Sequence, residues 1–254
     1  MGKIIAIANQ KGGVAKTTTA INLAASLSVA EKNVLLIDLD PQGNATSGLG
    51  VDCEALSGSI YDLFSGRSVV SELLLETGVP RLDILPANID LVGAEVELVG
   101  VKGREKVLKE HLMGETDQYD YVIIDCPPSL GLLTVNALTA ADSLLIPMQC
   151  EYYAMQGLKQ LMNTVMLVQG SLNPGIRIEG ILLTMYDGRN NLSTQVSSEI
   201  RTHFGQQVFR KVIPRNITLA EAPSHGKPAL YYDALSRGAQ AYLALAKEVI
   251  ERGA

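Results

Sequence analysis

Short apolar runs alternate along the chain with longer segments of helical periodicity. The runs at residues 4–8, 33–38, 121–125 and 143–148 are nearly continuous, which is typical of strands buried on both faces of a parallel sheet. Residues 82–86 predict a further strand, and helical segments are predicted at residues 19–27, 59–64, 132–141 and 153–170. Residues 94–112 predict helical pieces that are interrupted near Gly100 and Gly103. This alternation predicts an α/β fold, a doubly wound, mostly parallel twisted sheet with helices on both faces.

The C-terminal part of the chain continues the pattern. Residues 178–184 predict a core strand, residues 192–204 an amphipathic helix and residues 212–214 a short strand. A last helix is predicted at residues 236–252. The apolar face of this helix, which we expect to pack on the sheet, consists of Ala239, Tyr242, Leu243, Ala246, Val249 and Ile250.

Composition supports one compact domain. The chain has 254 residues, of which 47% are hydrophobic and 19% charged. Length alone would also allow two small domains, but we expect a single domain over residues 1–254. No run of eighteen apolar residues occurs, and the N-terminus leads directly into a charged strand and loop. We therefore expect neither a membrane span nor a signal peptide, and hence a cytoplasmic protein.

The three cysteines, Cys53, Cys126 and Cys150, are odd in number and lack C-x-x-C spacing. This pattern argues against a disulfide framework, a zinc site or a paired-cysteine cluster site. We expect buried, reduced thiols.

Residues 11–18, KGGVAKTT, connect the first predicted strand to the first predicted helix. A Gly-rich loop in this setting presents backbone N–H groups and a helix N-terminus to a phosphate chain, with Lys16 as the counter-charge and Thr17 as a magnesium ligand. A nucleoside triphosphate is the expected ligand. The alternative is a Gly-rich turn with solvated lysines.

The loop departs from the strict pattern GxxxxGK[ST], because Gln10 and Ala15 occupy the positions of its two glycines. The methyl group of Ala15 would crowd the phosphates or resist a positive φ angle, whereas at negative φ it is harmless. We predict a loop that binds ATP and turns it over slowly.

Acidic residues end two of the predicted strands. Asp38 and Asp40 follow one strand and Asp125 ends another, at the sheet edge where open α/β sheets bind ligands. A carboxylate at the position of Asp125 can hold a magnesium-bound water. The alternatives are an Asx-type turn closed by Pro41 and Gly43, and the acid-capped strand common to unrelated α/β proteins.

The segments KGGVAKTT, DLDPQGN and VIIDCPPS together resemble the deviant Walker A group of P-loop ATPases, the ParA/MinD family. The C-terminal segments TMYDGRNN, VIPRN and EAPSHGKP look closely like its Soj/ParA chromosome-partition branch. This resemblance covers nearly the whole chain. It implies an ATPase that converts ATP and water to ADP and phosphate, slowly unless stimulated, with ATP and Mg²⁺ as cofactors.

The resemblance also implies roles for individual residues. Lys11 would reach the partner subunit's nucleotide, Asp38 would lie near the metal, and Asp40 would position the attacking water. The catalytic candidates are therefore Lys11, Lys16 and Asp40, and the metal candidates are Thr17, Asp38 and Asp125. The ATP-binding candidates are Lys11, Gly12, Gly13, Val14, Ala15, Lys16, Thr17 and Thr18, with Pro214, Arg215 and Asn216 at the adenine. Glu151 is an interface candidate, or else a polar loop residue.

Charge is unevenly distributed. The net charge is −6 overall, but residues 171–228 carry +3 and the remainder −9. Scattered basic side chains without an aromatic platform suit contacts to the DNA backbone, although a solvated face is the alternative. The DNA-binding candidates are Arg189, Arg210, Lys211, Arg215 and Lys227.

The family resemblance implies an ATP-bound sandwich homodimer that binds double-stranded DNA non-specifically on the nucleoid. A ParB-type centromere-binding protein would stimulate hydrolysis and release the dimer, and so segregate a chromosome or plasmid. Thr218 stands where relatives often have a basic residue, which predicts weaker DNA binding.

Two alternatives share the fold. A MinD-like membrane-cycling positioning ATPase needs a C-terminal membrane helix, for which residues 236–252 have too few basic and bulky apolar residues. The other alternative is a reductase or an amide-forming enzyme, and the cysteine spacing disfavours the reductase.

Overall fold

A seven-stranded sheet forms the centre of the protein in a computed structural model that describes residues 2–151 and 154–253. The strands are β1 (Lys3–Ile7), β2 (Val34–Asp38), β3 (Leu75–Glu76), β4 (Leu82–Leu85), β5 (Tyr121–Asp125), β6 (Ser143–Gln149) and β7 (Arg177–Thr184). Their order is β3-β4-β2-β5-β1-β6-β7, and every neighbouring pair is parallel except the short edge pair β3 and β4. The predicted fold class is confirmed.

Helices cover both faces of this sheet. They are α1 (Lys16–Val29), α2 (Asn44–Gly48), α3 (Ile60–Phe64), α4 (Val70–Leu73), α5 (Leu91–Glu97), α6 (Val107–Leu112), α7 (Leu132–Ala140), α8 (Ala154–Ser171), α9 (Asn191–Phe204), α10 (Thr218–Glu221), α11 (Ala229–Tyr232) and α12 (Arg237–Gly253). Short 3₁₀ turns lie at Leu98–Gly100, Gly205–Gln207 and Ala222–His225. In the described part of the chain, no helix is both long and apolar enough to cross a membrane.

The register of the central strands positions the site. Strands β2 and β5 are buried along their whole length because apolar side chains cover both faces of the sheet. Asp38 and Asp125 are partners in the parallel register of these strands, so that both carboxyl groups lie at the same edge. The loop that follows β1 reaches this edge as well, since β1 pairs with β5.

Two predicted elements differ in the structure. Residues 212–214 do not form a strand; Pro214 and Tyr186 form an isolated bridge, because proline has no N–H to extend a ladder. In α12, Leu245 is buried and Leu243 is only half-buried, and the acidic Glu248 shares the buried face. Tyr152 and Tyr153 lie outside the described residues, and Tyr153 is the first residue of the predicted helix at 153–170.

Candidate nucleotide-binding site

The Gly-rich loop lies between β1 and α1, so that the predicted strand, loop and helix are present in that order. Ala15 is the N-cap residue of α1 and has φ 67° and ψ 37°, in the left-handed region, as does Gly13 with φ 72°. Of the two outcomes expected for Ala15, the positive φ angle is the one observed. An L-residue in this region is strained by about 1–2 kcal/mol.

Replacing Ala15 by glycine is therefore expected to increase the free energy of unfolding by about 0.5–1 kcal/mol, because relief of the strain outweighs the added freedom of the unfolded chain. Urea unfolding measures the difference. Ala30→Gly is the matched control, because Ala30 is exposed, is the C-cap residue of α1 and has φ −80°. If Ala15→Gly destabilises the protein as much as Ala30→Gly does, the left-handed strain is not significant.

A cavity of about 500 Å³ opens in front of the loop. Its wall includes Gly13, Lys16, Thr17, Asp40, Pro128 and Met185. Lys16 is only 7% exposed, and its ammonium group donates a hydrogen bond to the carbonyl of Lys11 at 3.3 Å. Burial lowers the pKa of Lys16, while the nearby Asp125 acts in the opposite direction. The cavity thus holds a buried cation next to free loop amides, an arrangement suited to phosphate.

Asp38 is fully enclosed by protein donors. One of its carboxylate oxygens accepts from the Thr46 amide and hydroxyl, both at 2.8 Å, and the other accepts from the Asp40 amide at 3.1 Å. Burial raises the pKa of Asp38 to about 6, against the lowering effect of the Thr46 hydrogen bonds. These contacts fix the start of the loop that carries Asp40, which lines the cavity.

Asp125 has the opposite environment. Both of its carboxylate oxygens are buried, and neither has a hydrogen-bond partner of standard geometry among the described residues. Burial and the neighbouring Asp38 raise the pKa of Asp125 well above its usual range, and the adjacent Thr17 hydroxyl opposes this shift. A buried carboxyl group without partners is unfavourable unless a ligand compensates it. Thr17 and Asp125 therefore fit a hydrated Mg²⁺.

A second cavity, of about 180 Å³, shares Ala15, Thr18 and Met185 with the first. Its wall includes the predicted adenine segment Pro214, Arg215 and Asn216. The side-chain oxygen of Asn216 is buried and has no partner among the described residues, so it is available to accept a hydrogen bond from an amino group. Together, the two cavities offer one end suited to phosphate groups and one end suited to a planar base.

Lys11 does not line either cavity. Its ammonium group forms an ion pair with Glu151, the residue predicted as an interface candidate, and its side chain is 41% exposed. The structure thus brings together two residues that the sequence placed 140 positions apart.

The five basic candidates for DNA differ in their surroundings. Arg189 pairs with Asp187 through two hydrogen bonds of 3.0 Å, which lower the pKa of Asp187 to about 2. Arg210 pairs with Glu251 at 2.8 Å and with Glu248 at 3.5 Å. Lys211, Arg215 and Lys227 are exposed and form no ion pair with another described residue.

Thr46, Gln149 and Thr184 contact the site, although no sequence motif identified them. Thr46 holds Asp38, Gln149 donates to the Gly13 carbonyl at 2.7 Å, and Thr184 donates to the Val14 carbonyl at 3.0 Å. The last two contacts join residues 136 and 170 positions apart, so no local pattern could indicate them.

Comparison with known proteins gives the family. Residues 2–178 match a family model described as an AAA domain. The chain is 57% identical over 253 residues to the sporulation initiation inhibitor protein Soj of Bacillus subtilis (strain 168), with all of both chains covered. It is 55% identical over 252 residues to the chromosome partitioning protein ParA of Myxococcus xanthus (strain DK1622), covering 99% of this chain and 89% of that one.

A crystal structure of cobyrinic acid a,c-diamide synthase from Mycobacterium smegmatis with bound ADP and magnesium superimposes with a TM-score of 0.87. The two chains are 40% identical, and the match covers 98% of this chain and 94% of that one. The predicted activity and cofactors are confirmed: the protein is an ATPase that uses ATP and Mg²⁺. The chain belongs to the Soj/ParA family of chromosome-partitioning P-loop ATPases.

Proposed function

We propose that this partition ATPase works as a nucleotide-controlled DNA-binding dimer. Two copies close over ATP, the dimer binds double-stranded DNA without sequence preference, and a ParB-type centromere-binding protein stimulates the hydrolysis that releases it. The observation that carries this proposal is the position of Lys11, a loop lysine whose charged group lies outside the wall of its own phosphate cavity.

Within one subunit, the loop amides and Lys16 hold the phosphates, and the second cavity holds the adenine against Pro214, Arg215 and Asn216. Thr17 and Asp125 hold Mg²⁺, which neutralises phosphate charge when it is bound. Asp38 is the register partner of Asp125 on the neighbouring strand. It contributes to the site by fixing the start of the loop that carries Asp40.

Hydrolysis needs an oriented water molecule and stabilisation of the charge that develops on the phosphoryl group. Asp40 lines the phosphate cavity, and one of its carboxylate oxygens accepts from the Gln42 amide at 3.0 Å. This contact fixes the Asp40 side chain while its other oxygen is available to orient water. Lys16, in the wall of the same cavity, supplies positive charge.

Lys11 is available for a second subunit. Its ion pair with Glu151 is exposed, and such pairs contribute at most about 1 kcal/mol to stability. A polyphosphate carries more charge than one carboxylate. Lys11 therefore gains when it leaves Glu151 and pairs with the phosphates of the partner subunit's nucleotide. Dimerisation would then depend on ATP.

The DNA surface is proposed to centre on Lys211, Arg215 and Lys227, because these side chains are exposed and form no ion pair with another described residue. Arg189 and Arg210 are each paired with carboxylates, so their net contribution to phosphate binding is smaller. A dimer presents two copies of this weak surface, and simultaneous contact with one DNA makes binding depend on ATP. The apolar face of α12 is buried, which favours DNA over the membrane-cycling alternative.

Size-exclusion chromatography with light scattering tests the proposal. It is run with a non-hydrolysable ATP analogue, with ADP and without nucleotide. The wild type is expected to dimerise and to co-elute with duplex DNA only with the ATP analogue. Lys11→Ala is expected to remain monomeric and to lose DNA co-elution, while Lys102→Ala, at another exposed lysine, behaves as the wild type.

The same chromatography distinguishes the role of the DNA-binding surface from that of ATP-dependent dimerisation. Lys227→Glu is expected to dimerise normally but to bind DNA about tenfold more weakly at low salt, whereas Lys102→Glu retains binding. DNA binding of equal strength without nucleotide contradicts the switch. Normal dimerisation of Lys11→Ala contradicts the role of the loop lysine.

A further inference from the structure

Three polar side chains at the ends of strands hold the phosphate loop by hydrogen bonds to its backbone. Asn9, just after β1, donates to the Pro147 carbonyl at 2.7 Å and accepts from the Lys11 amide at 3.1 Å. Gln149 at the end of β6 and Thr184 at the end of β7 donate to two successive loop carbonyls, those of Gly13 and Val14. The ends of three adjacent strands thus anchor one short loop.

These two carbonyl contacts decide which way the neighbouring amides point. In a trans peptide, the C=O and N–H of the same group point in opposite directions. A hydrogen bond that turns the Gly13 carbonyl toward Gln149 therefore turns the Val14 N–H away from β6. The Thr184 hydroxyl orients the Ala15 N–H in the same manner. The two amides are thus oriented by side chains at the ends of β6 and β7.

The oriented amides are available to a ligand. Among the described residues, none accepts a hydrogen bond of standard geometry from the N–H of Val14 or Ala15. Both belong to the loop whose glycines, lysine and threonine line the phosphate cavity. Free N–H groups on one side of a loop form an anion-binding concavity, and a nucleotide phosphate is the anion that fits it.

We propose that Gln149 and Thr184 are positioning residues for nucleotide binding, which orient the Val14 and Ala15 amides toward the β-phosphate of ADP or ATP. The proposal rests on the proposed function of the loop as the phosphate site. Neither Thr184 nor Gln149 lines the two cavities, so both act through the backbone of the loop rather than by contact with nucleotide.

The positioning role explains why these side chains are polar. Thr184 ends an otherwise apolar strand, and its hydroxyl would be costly to bury without a partner. The partner it has is a loop carbonyl that would otherwise be free to turn into the cavity. A carbonyl turned inward would repel the phosphate, whereas the amide attracts it.

The test compares ADP with AMP, which lacks the β-phosphate, by isothermal titration calorimetry on the full chain. Thr184→Val keeps the shape of the side chain and removes its hydroxyl, and it is expected to weaken ADP binding about three- to tenfold, the range of one hydrogen bond. AMP binding is expected to change less than twofold. Thr184→Ser is expected to restore ADP affinity, and Gln149→Met to weaken it as Thr184→Val does.

Thr139→Val is the matched control, because Thr139 is equally buried and its hydroxyl donates to a backbone carbonyl, of Val135, at 2.7 Å inside α7. This variant is expected to bind ADP as the wild type does. If Thr184→Val fails to fold, Gln149→Met alone decides the proposal. Unchanged ADP affinity in the folded variants, or an equal loss for ADP and AMP, overturns it.

Lys16→Ala in the same titration separates this inference from the function on which it rests. If Lys16→Ala binds ADP as the wild type does, the loop is not the phosphate site and the proposed function fails. If Lys16→Ala loses ADP while Thr184→Val and Gln149→Met retain it, only the positioning role fails.

Discussion

Replacement of Lys16 by alanine is expected to reduce kcat/KM for ATP hydrolysis by about 10²–10³-fold, the effect of removing one preorganised charge from a phosphoryl-transfer site. The ammonium group of Lys16 is buried in the cavity wall beside free amides, and Asp125 and Asp40 lie close enough to favour its charged form. No other described lysine or arginine lines this cavity, so no neighbour replaces the lost charge.

Phosphate release under saturating Mg²⁺ measures the loss, with Lys102→Ala as the control for an exposed lysine. Thermal unfolding of the variant without nucleotide is expected to stay within a few degrees of the wild type, because a buried lysine of lowered pKa contributes little to folding. Hydrolysis within threefold of the wild type would place the phosphate site elsewhere.

The sequence predicted the parts of this site that depend on local order. Lys16 and Thr17 follow a Gly-rich loop at the start of a helix, so their positions follow from motif spacing. Asp125 ends a continuous apolar strand, so its position follows from strand topology. The parallel register then brings Asp38 beside Asp125, as expected for acids at the carboxyl ends of neighbouring strands.

The positive φ angle at Ala15 does not follow from the sequence, because a residue type other than glycine does not show by itself when φ is positive. The same limit applies to contacts between distant segments. Gln149, Thr184 and Thr46 reach the site only after β2, β6 and β7 are packed in one sheet, and their residue types alone have no functional signature.

Charge counting identified a basic segment but not which of its side chains are free. Arg189 and Arg210 have acidic partners that the sequence placed two and forty-one positions away, and such pairs become visible only with side-chain geometry. The segment remains a surface to be tested by mutation, with its unpaired lysines as the first targets.

Asp40→Asn is expected to lower kcat by about 10²–10³-fold while ATP binding stays within a few-fold of the wild type. The amide retains the oxygen that accepts from Gln42, so the loop geometry is preserved, but the carboxylate charge that orients water is lost. The resulting protein should therefore accumulate in its ATP-bound state.

Asp52→Asn is a matched control, because Asp52 is exposed and its carboxylate likewise accepts from the amide two residues later, that of Glu54, at 3.0 Å. Single-turnover kinetics measure the loss of hydrolysis in Asp40→Asn. DNA co-elution with ATP itself, rather than an analogue, measures how long the ATP-bound state persists. Asp40→Asn is expected to hold DNA long after the wild type has released it, while Asp52→Asn releases it normally. Rapid release by Asp40→Asn despite blocked hydrolysis would separate DNA binding from the ATP cycle, and the proposed switch would then have to act through nucleotide exchange.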